Sequence, residues 1–299
     1  MKAMITGGTG FVGTHLTKTL LDSGWDVTIT GRSQNSIYSG KKGFTQLVCD
    51  TTVKGDWQSE VSHMDVIINL AGKNIFTLWN KEKKKDILES RVLTTQNLVE
   101  GMKDGAVKVF LSTSASGYYG DRGNEILTES TSKGEGFLSD VCDAWETEAL
   151  KARQFDVRTV LMRFGMILGK DGGAFKMMKT PFKLGLGGNL GSGQHWMAWM
   201  HIHDLVEAVL FLINHDQASG IINFSAPHAV QNKNFTKAVS RALGRPAFFH
   251  APGFILRLIM GELGDVLLGS QRMASGELER LGFKFTYADI DSAIGDLVR

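Results

Sequence analysis

The chain has little cysteine and almost no net charge. Its 299 residues include two cysteines, Cys49 and Cys142, which lie far apart in sequence and have no metal-ligand spacing around them. This argues against a disulfide framework and favours reduced thiols in a cytoplasmic protein. A formal net charge of +2 argues against a nucleic-acid-binding protein that works by bulk charge. We therefore expect no nucleic-acid partner.

A long apolar run is also missing. The most apolar late stretch, residues 254–268, contains Arg257, Glu262 and Asp265, and it is shorter than the roughly 20 residues that a membrane span needs. We expect it to form a packed helix and not a membrane anchor. We expect no secretory signal either, because a short strand and a glycine-rich loop begin at the first residues.

The N-terminus carries a glycine-rich turn between a strand and a helix. Gly7, Gly10 and Gly13 are spaced three apart, before a helix predicted over 15–22. The first glycine permits a sharp turn, the second lets the backbone approach a pyrophosphate, and the third lets the helix pack on the sheet. The helix N-terminus adds unpaired N–H groups and a positive dipole end. The pattern predicts a dinucleotide-phosphate site, with a mere tight turn as the alternative, at Gly7, Thr9, Gly10, Phe11 and Val12.

Strand-like runs alternate with helical stretches along the chain. This order predicts an α/β fold, a Rossmann-type doubly wound parallel sheet with a smaller C-terminal substrate-side region. We expect the dinucleotide-binding domain in 1–165, with residues of about 195–225 returning to it. Substrate-side loops and helices would occupy 166–247, and a helical segment is appended in 248–299. The six predicted strands are Lys2 to Thr6, Asp26 to Thr30, Thr45 to Cys49, Asp65 to Leu70, Val107 to Ser112 and Val157 to Arg163.

The glycine-rich residues 169–193 show few regular signals. They form either a candidate substrate loop or a flexible connection.

The end of the second strand selects the dinucleotide. An NAD enzyme of this architecture usually has an acidic residue there for the ribose 2′-hydroxyl, whereas a 2′-phosphate favours a guanidinium. Here Gly31 occupies the acidic position and Arg32 follows it. We therefore expect NADP (NADPH) in preference to NAD, with an arginine in a solvated turn as the alternative.

Further motifs resemble the extended branch of the short-chain dehydrogenase/reductase superfamily. The matching pieces are Thr6 to Gly13, Asp50 after the third strand, Asn69 to Gly72 after the fourth, and Ser112 to Gly120 after the fifth. The resemblance implies that Asp50 binds the adenine amino group and that the backbone of Leu70, Ala71 and Gly72 lines the cofactor. It also implies that Ser114 lies beside the nicotinamide, unless its hydroxyl only caps the turn, and that Arg163 lies near the carboxamide.

One motif of that superfamily is missing. Its enzymes normally carry a Tyr-x-x-x-Lys pair, in which the lysine lowers the tyrosine pKa so that a proton can be exchanged as hydride moves. Leu138 and Cys142 occupy the two positions here, and we expect Cys142 to be a buried, inert thiol. The substitution resembles an atypical subgroup called epimerase family proteins, or NAD-dependent epimerase/dehydratase proteins. That subgroup has an appended C-terminal domain of unknown function.

Other side chains are candidates for the missing chemistry. Tyr118 and Tyr119 follow Ser114 closely enough to reach the cofactor, with aromatic walls as the alternative. Arg122 lies four residues beyond Tyr118, and a positive neighbour would lower the pKa of a phenol. Arg91 replaces an asparagine that is typical of the extended branch, and it would hold an anionic substrate group.

A polar cluster precedes the apolar helix predicted over 205–213. Trp199 and His201 are candidate substrate contacts, although a tryptophan here is more often part of the core. Asp204 is expected to be the N-cap of that helix. His201, His203 and Asp204 lack the further ligand that a metal site needs, so we expect no metal.

Two functional classes remain open. The first is an NADP-dependent epimerase/dehydratase-like enzyme or oxidoreductase that acts on a small, sugar-nucleotide-like substrate. The second is a non-catalytic NADPH-binding sensor or regulatory protein. The retained Ser114 favours the enzyme, and the missing Tyr-x-x-x-Lys pair favours the sensor. We expect the enzyme, as a homodimer with no nucleic-acid or membrane partner, because a lost acid–base group costs about 10² to 10⁴ in rate but leaves the hydride geometry intact.

Overall fold

Strands and helices alternate through the structure, as the sequence pattern predicts. The computed structural model describes residues 1–34, 37–103 and 105–299. Its strands, in chain order, are β1 (Lys2–Thr6), β2 (Asp26–Gly31), β3 (Phe44–Val48), β4 (Val66–Asn69), β5 (Val109–Ala115), β6 (Ile126–Leu127), β7 (Arg158–Phe164), β8 (Met166–Leu168), β9 (Gly188–Leu190), β10 (Trp196–Met197), β11 (Trp199–His201), β12 (Gly220–Phe224), β13 (Val230–Gln231), β14 (Phe249–Ala251) and β15 (Arg272–Met273).

The helices cover both faces of the central sheet and form most of the C-terminal part. Within the described ranges, no helix is both long enough and apolar enough to cross a lipid bilayer. They are α1 (Phe11–Asp22), α2 (Trp57–Val61), α3 (Lys81–Gly101), α4 (Phe137–Leu150), α5 (Gly173–Lys183), α6 (Ile202–Ile213), α7 (Asn232–Leu243), α8 (Gly253–Met260), α9 (Glu262–Leu268), α10 (Gly276–Arg280) and α11 (Ile290–Val298), with 3₁₀ turns at Ser116–Tyr119 and Lys151–Phe155.

Seven strands form one parallel sheet in the order β12-β7-β5-β4-β1-β2-β3. From β1 the chain builds outward through β2 and β3 on one side, and then through β4, β5, β7 and β12 on the other. The strand order therefore reverses beside β1, and ligands of such sheets bind at the carboxyl ends of the strands at this point. The parallel sheet confirms the predicted Rossmann-type fold.

Successive side chains of β1 point into two different cores. Ile5 packs with α1 and α6 on one face, whereas Met4 packs with α2 and α3 on the other. Because alternate side chains of a strand point to opposite faces, strands buried on both faces appear in the sequence as continuous apolar runs. The six predicted strands are found within three residues of their predicted ends.

Strand β12, which pairs with β7 at the edge of the sheet, is not among the predicted strands. This strand has only two consecutive apolar residues, Ile221 and Ile222, before the buried Asn223. A polar residue in so short a run hides the strand pattern.

Residues 254–268 correct a second prediction. Instead of one packed helix they form α8 and α9, separated by Gly261 with a φ of 57°. No residue of α8 is buried, and Leu258 is 83% exposed. Only α9 packs, through Leu263 and Gly264. The stretch is apolar as predicted, but α8 contacts α9 and leaves most of its apolar side chains exposed.

Residues 169–193 are more regular than predicted, since they contain α5 and β9. Their glycines allow a close fit to the start of α1. A Cβ atom on Gly169 or Gly172 would lie 2.2 or 2.4 Å from the ring of Phe11. The segment is therefore packed against the glycine-rich loop and is not merely a flexible connection.

Candidate functional site

The glycine-rich loop has the geometry of an open anion site at the end of β1. Gly7 has a φ of 69°, and a Cβ atom on Gly13 would lie 2.4 Å from the Gly7 carbonyl oxygen. Gly10 is exposed and caps α1 without a side-chain hydrogen bond. The N–H groups of the first turn are therefore accessible to a ligand, beside Thr9, Phe11 and Val12.

The end of β2 borders this loop. A Cβ atom on Gly31 would lie 3.6 Å from Cγ2 of Thr9. Arg32 is exposed, and it forms no ion pair with any described residue. The Arg32 guanidinium thus lies at the edge of the glycine loop. Because residue 31 is a glycine and not an acidic residue, it carries no carboxylate that would repel a phosphate.

Asp50 lies just past the neighbouring strand β3. Its Oδ1 atom accepts hydrogen bonds from the Thr52 backbone N at 3.0 Å and from Oγ1 at 2.7 Å. These hydrogen bonds, with a smaller contribution from Arg32, hold the pKa of Asp50 below its ordinary value. The side chain is exposed and ionised, so it can still accept a hydrogen bond from a ligand amino group.

The loop after β4 continues the same edge. A Cβ atom on Gly7 would lie 3.0 Å from the Leu70 carbonyl group, so the two loops pack backbone to backbone. Asn69 holds the strand ends together, because Thr6 Oγ1 donates to its Oδ1 at 2.7 Å and its Nδ2 donates to Ser112 at 3.3 Å. Leu70, Ala71 and Gly72 therefore lie beside the glycine loop.

Ser114, at the end of β5, belongs to a buried polar network. Its Oγ donates to Oε1 of Glu146 at 2.6 Å, and no part of Ser114 is exposed. Glu146 also accepts two hydrogen bonds from Arg163, at 2.8 and 2.7 Å. Burial alone would lower the pKa of Arg163, but the hydrogen bonds and charge of Glu146 outweigh burial and raise it. Ser114 and Arg163 thus face Glu146 in this structure.

Tyr119 extends this network and is not open to a ligand. Its fully buried hydroxyl donates to Asn223 Oδ1 at 2.7 Å and accepts from Arg163 Nη1 at 3.0 Å. Burial raises its pKa, against the opposing effect of Arg163. These contacts correct the expectation that Tyr119 reaches the cofactor, because they enclose its hydroxyl in protein.

Tyr118 is the half-buried tyrosine of the pair. Its ring centre lies 3.4 Å from the Arg163 Cζ atom. The cation on this ring is therefore Arg163 and not Arg122, whose guanidinium donates to the carbonyl oxygens of Tyr119, Ser132 and Lys133.

Glu146, like Asn223, belongs to this network without having been predicted as a site residue. It follows Cys142 by one helical turn on the buried face of α4. An acidic residue in an apolar stripe is a signal of a buried basic partner, and this signal was available in the sequence.

Cys142 confirms its prediction of a buried thiol. Its Sγ atom lies 3.8 Å from the Ala115 carbonyl oxygen, and burial raises its pKa to about 11.

Trp199 and His201 lie inside the protein, contrary to a role as open substrate contacts. Trp199 is fully buried and donates its indole N–H to the His228 carbonyl oxygen at 2.9 Å. His201 is 3% exposed and packs against Tyr287, with ring centres 4.0 Å apart and an interplanar angle of 39°. Both side chains are used in packing.

His201, and not Asp204, is the N-cap of α6. Its Nδ1 atom accepts from the backbone N of His203 at 3.2 Å. The Asp204 carboxylate instead accepts from the backbone N–H groups of Thr286 and Tyr287, each at 2.9 Å. Asp204 was misassigned because its partners lie far away in sequence.

An aromatic pair lies at the start of α4, beside the turn that holds Tyr118. The rings of Trp79 and Phe137 are 5.1 Å apart, and Lys84 Nζ lies 5.2 Å from the Phe137 ring centre. Lys84 also forms a 2.6 Å ion pair with Glu262 of α9. This contact joins the C-terminal segment to α3. Lys84 itself belongs to the lysine-rich residues 81–86, a pattern that by itself indicates only a solvated face.

Two family models match the chain. One, described as the NAD dependent epimerase/dehydratase family, matches residues 3–224, and the other, a domain of unknown function (DUF1731), matches residues 251–297. A relative named Epimerase family protein SERP0438, from Staphylococcus epidermidis, is 36% identical over 302 residues, which cover 99% of this chain and 98% of the relative. These similarities confirm the family resemblance drawn from the motifs.

Solved structures also match the whole length of this chain. The human epimerase family protein SDR39U1 (isoform 2) with NADPH has a TM-score of 0.87 and 28% identity, and the match covers 100% of this chain and 99% of that one. The nucleoside-diphosphate sugar epimerase from Corynebacterium glutamicum has a TM-score of 0.81 and 33% identity, and the match covers 100% of this chain and 58% of that one.

Proposed function

The chain belongs to the NAD dependent epimerase/dehydratase family, and we propose that it is an NADP-dependent epimerase/dehydratase-like enzyme or oxidoreductase that acts on a small, sugar-nucleotide-like substrate. The observation that carries the proposal is the open N-terminus of α1 beside Arg32. The similar human structure was determined with NADPH, which supports the proposed cofactor. The similar bacterial structure is that of a nucleoside-diphosphate sugar epimerase, which supports the proposed class of substrate.

The residues present fit a dinucleotide phosphate. Gly10 has no side chain that would block a ligand, and the first turn of α1 would hold the pyrophosphate at the backbone of residues 9–12. Arg32 would bind the 2′-phosphate and Asp50 the adenine amino group, while the backbone of residues 70–72 would line the middle of the cofactor. Bound NADPH would supply a hydride.

Tyr118 is the candidate proton donor near the nicotinamide. The Arg163 guanidinium lies against its ring, with Cζ 3.4 Å from the ring centre, and this contact orients the phenol. Ser114, Tyr119 and Arg163 act as positioning residues in this proposal, since their polar atoms face one another and Glu146. The Trp79 and Phe137 rings provide an apolar wall for substrate.

A non-catalytic NADPH sensor is the second candidate. It is favoured by Leu138 and Cys142 at the positions of the missing pair and by the enclosed hydroxyls of Ser114 and Tyr119. In this case the protein would bind NADPH without turnover. A homodimer and a cytoplasmic location stay predictions for either candidate.

Calorimetric titration with NADPH and NADH tests cofactor choice. We expect NADPH to bind more tightly, and Arg32→Ala to narrow the difference, because a hydrogen bond to a charged group contributes about 1.5 to 3 kcal/mol. The exposed Arg245→Ala is the matched control and should change neither affinity. Equal affinities in the intact protein would contradict the NADP preference.

Turnover is tested with NADPH that carries deuterium at nicotinamide C4. The protein is incubated with 4-keto derivatives of nucleoside-diphosphate sugars, whose carbonyl group can accept hydride from the reduced cofactor, and the sugar is analysed by mass spectrometry. Deuterium in the sugar supports the enzyme. Tight NADPH binding with no transfer to any of them supports the sensor.

A further inference from the structure

Arg91, in the middle of α3, places a guanidinium beside the loop that follows β4. Its Cζ atom lies 2.9 Å from the position of a Cβ on Gly72 and 5.3 Å from the Trp145 ring centre. Nη1 and Nη2 donate to the carbonyl oxygens of Ile87 and Lys73 at 3.0 and 3.1 Å. The guanidinium is thus wedged between α3, α4 and a loop that belongs to the proposed cofactor site.

Arg91 has no anionic partner in the protein. Within residues 1–34, 37–103 and 105–299, none of the ion pairs includes it, whereas the buried Arg163 has Glu146. Two backbone carbonyl oxygens leave part of its N–H fork unused, and burial lowers the pKa of the group. Arg91 is partly exposed, and only two of the five N–H groups of its guanidinium are used by these carbonyl oxygens. The others can meet a ligand that brings oxygen atoms to Gly72.

The order of the strands says which part of a dinucleotide lies there. The pyrophosphate site is at β1, and the two residues assigned to the adenosine half, Arg32 and Asp50, follow β2 and β3 on one side of it. Gly72 follows β4, on the opposite side of β1. A cofactor laid across the switch point has its nicotinamide half on the side of β4 and β5.

We propose that Arg91 binds the ribose of the nicotinamide half, through the oxygen atoms of its hydroxyls. This inference rests on the proposed function, and it reassigns Arg91 from the substrate to the cofactor. Gly72 is the residue that permits the contact, because any side chain there would meet the guanidinium. Arg91 holds the ribose while its remaining donors fix the loop at Lys73.

Ser90, which precedes Arg91 in α3, provides a control for the possibility that Arg91 only holds the loop. Ser90 Oγ accepts a hydrogen bond from the backbone N of Lys73 at 3.0 Å, whereas Arg91 donates to the carbonyl oxygen of the same residue. Ser90→Ala removes a loop contact but no cation. A loop role alone would give the two variants similar effects on the cofactor.

The experiment is calorimetric titration of the full chain and its variants with NADPH and with adenosine 2′,5′-bisphosphate, which carries only the adenosine half. We expect Arg91→Met to weaken NADPH binding about tenfold or more, as the loss of a charge-assisted hydrogen bond implies. Binding of the bisphosphate should stay within about twofold, which also shows that the variant is folded. Arg91→Lys should recover part of the NADPH affinity, and Ser90→Ala should retain most of it.

Three results would overturn the inference. One is unchanged NADPH affinity in Arg91→Met, and a second is an equal loss for NADPH and the bisphosphate. The third is a loss in Ser90→Ala as large as that in Arg91→Met. If the intact protein binds neither probe, the proposed function itself fails, and the role of Arg91 fails with it.

Discussion

Glu146 and Arg163 form a bidentate ion pair that joins α4 to β7 inside the protein. Nε and Nη2 of Arg163 lie 2.8 and 2.7 Å from the two carboxylate oxygens, and the residues are 6% and 1% exposed. Ser114, Tyr118 and Tyr119 all contact this pair directly. The pair therefore positions the candidate functional residues at the end of β5.

Breaking this pair should destabilise the fold strongly. Removal of one partner of a buried ion pair leaves an uncompensated charge and costs about 3 to 5 kcal/mol. We expect Glu146→Gln to lower the free energy of unfolding by that amount in urea denaturation. Glu100→Gln, which breaks the exposed pair with Lys54, should cost less than about 1 kcal/mol. Similar losses in the two variants would contradict a special role for the buried pair.

The two glycines of the cofactor loop should differ in what they support. Gly10 is exposed, and among the residues that the structure describes, a Cβ there would come within 4 Å of the Gly7 carbonyl oxygen alone, at 3.1 Å. We expect Gly10→Val to abolish NADPH binding while the far-ultraviolet circular dichroism stays intact, because the branched side chain occupies the phosphate position.

Gly13 is the matched comparison. A Cβ there would lie 2.4 Å from the Gly7 carbonyl oxygen and 2.7 Å from the Gly8 Cα. We therefore expect Gly13→Ala to lower the melting temperature as well as NADPH binding. A Gly10→Val variant that still binds NADPH normally by calorimetry would reduce the glycine run to a turn.

The sequence predicts those parts of the fold that have local causes. The glycine loop and six strands follow from spacing and from apolar runs, which local geometry converts directly into a turn and a buried strand. The partners of the polar side chains do not follow, because Tyr119 and Asn223 are 104 residues apart and Asp204 and Thr286 are 82 apart. The periodicity of a sequence contains no information about such long-range pairs.

The position of Arg91 shows the same limit within the site. Its residue type suggests a bound anion, but the choice between substrate and cofactor depends on where α3 lies relative to the loop after β4. That placement is set by packing of α3 against α4 and the sheet. Only the three-dimensional structure brings the guanidinium to Gly72.

Cys142 should be chemically inert. Burial raises its pKa to about 11, so only about one thiol in ten thousand is ionised at neutral pH, and the thiolate is the reactive form. We expect negligible labelling by iodoacetamide in the folded protein and full labelling in denaturant. Cys142→Ala should change NADPH affinity, and any turnover, by less than about tenfold.

Cys49 is the control for this labelling, since it is less buried than Cys142. We expect it to react first in the folded protein. Rapid labelling of Cys142 that NADPH blocks, with loss of activity, would instead point to a thiol-based mechanism.

Acid should destabilise the protein through buried histidines, of which His201 is the most enclosed. Burial lowers its pKa below the ordinary 6.5, and the nearby Asp296 carboxylate opposes this only in part. The folded state therefore favours neutral His201. Its contribution to stability is fully present above the unfolded-state pKa and is lost as the pH falls towards the folded-state pKa.

We expect the free energy of unfolding to fall between about pH 7.5 and about pH 5, with His201 contributing at most about 1.4 kcal/mol per pH unit. His201→Asn keeps an acceptor for the His203 N–H but does not titrate, so its stability should fall less steeply over this range. The slope should not vanish, because burial also lowers the pKa of His15 and His195. A parallel pH dependence in His201→Asn and the intact protein, measured by urea denaturation, would show that His201 is not a source of the acid sensitivity.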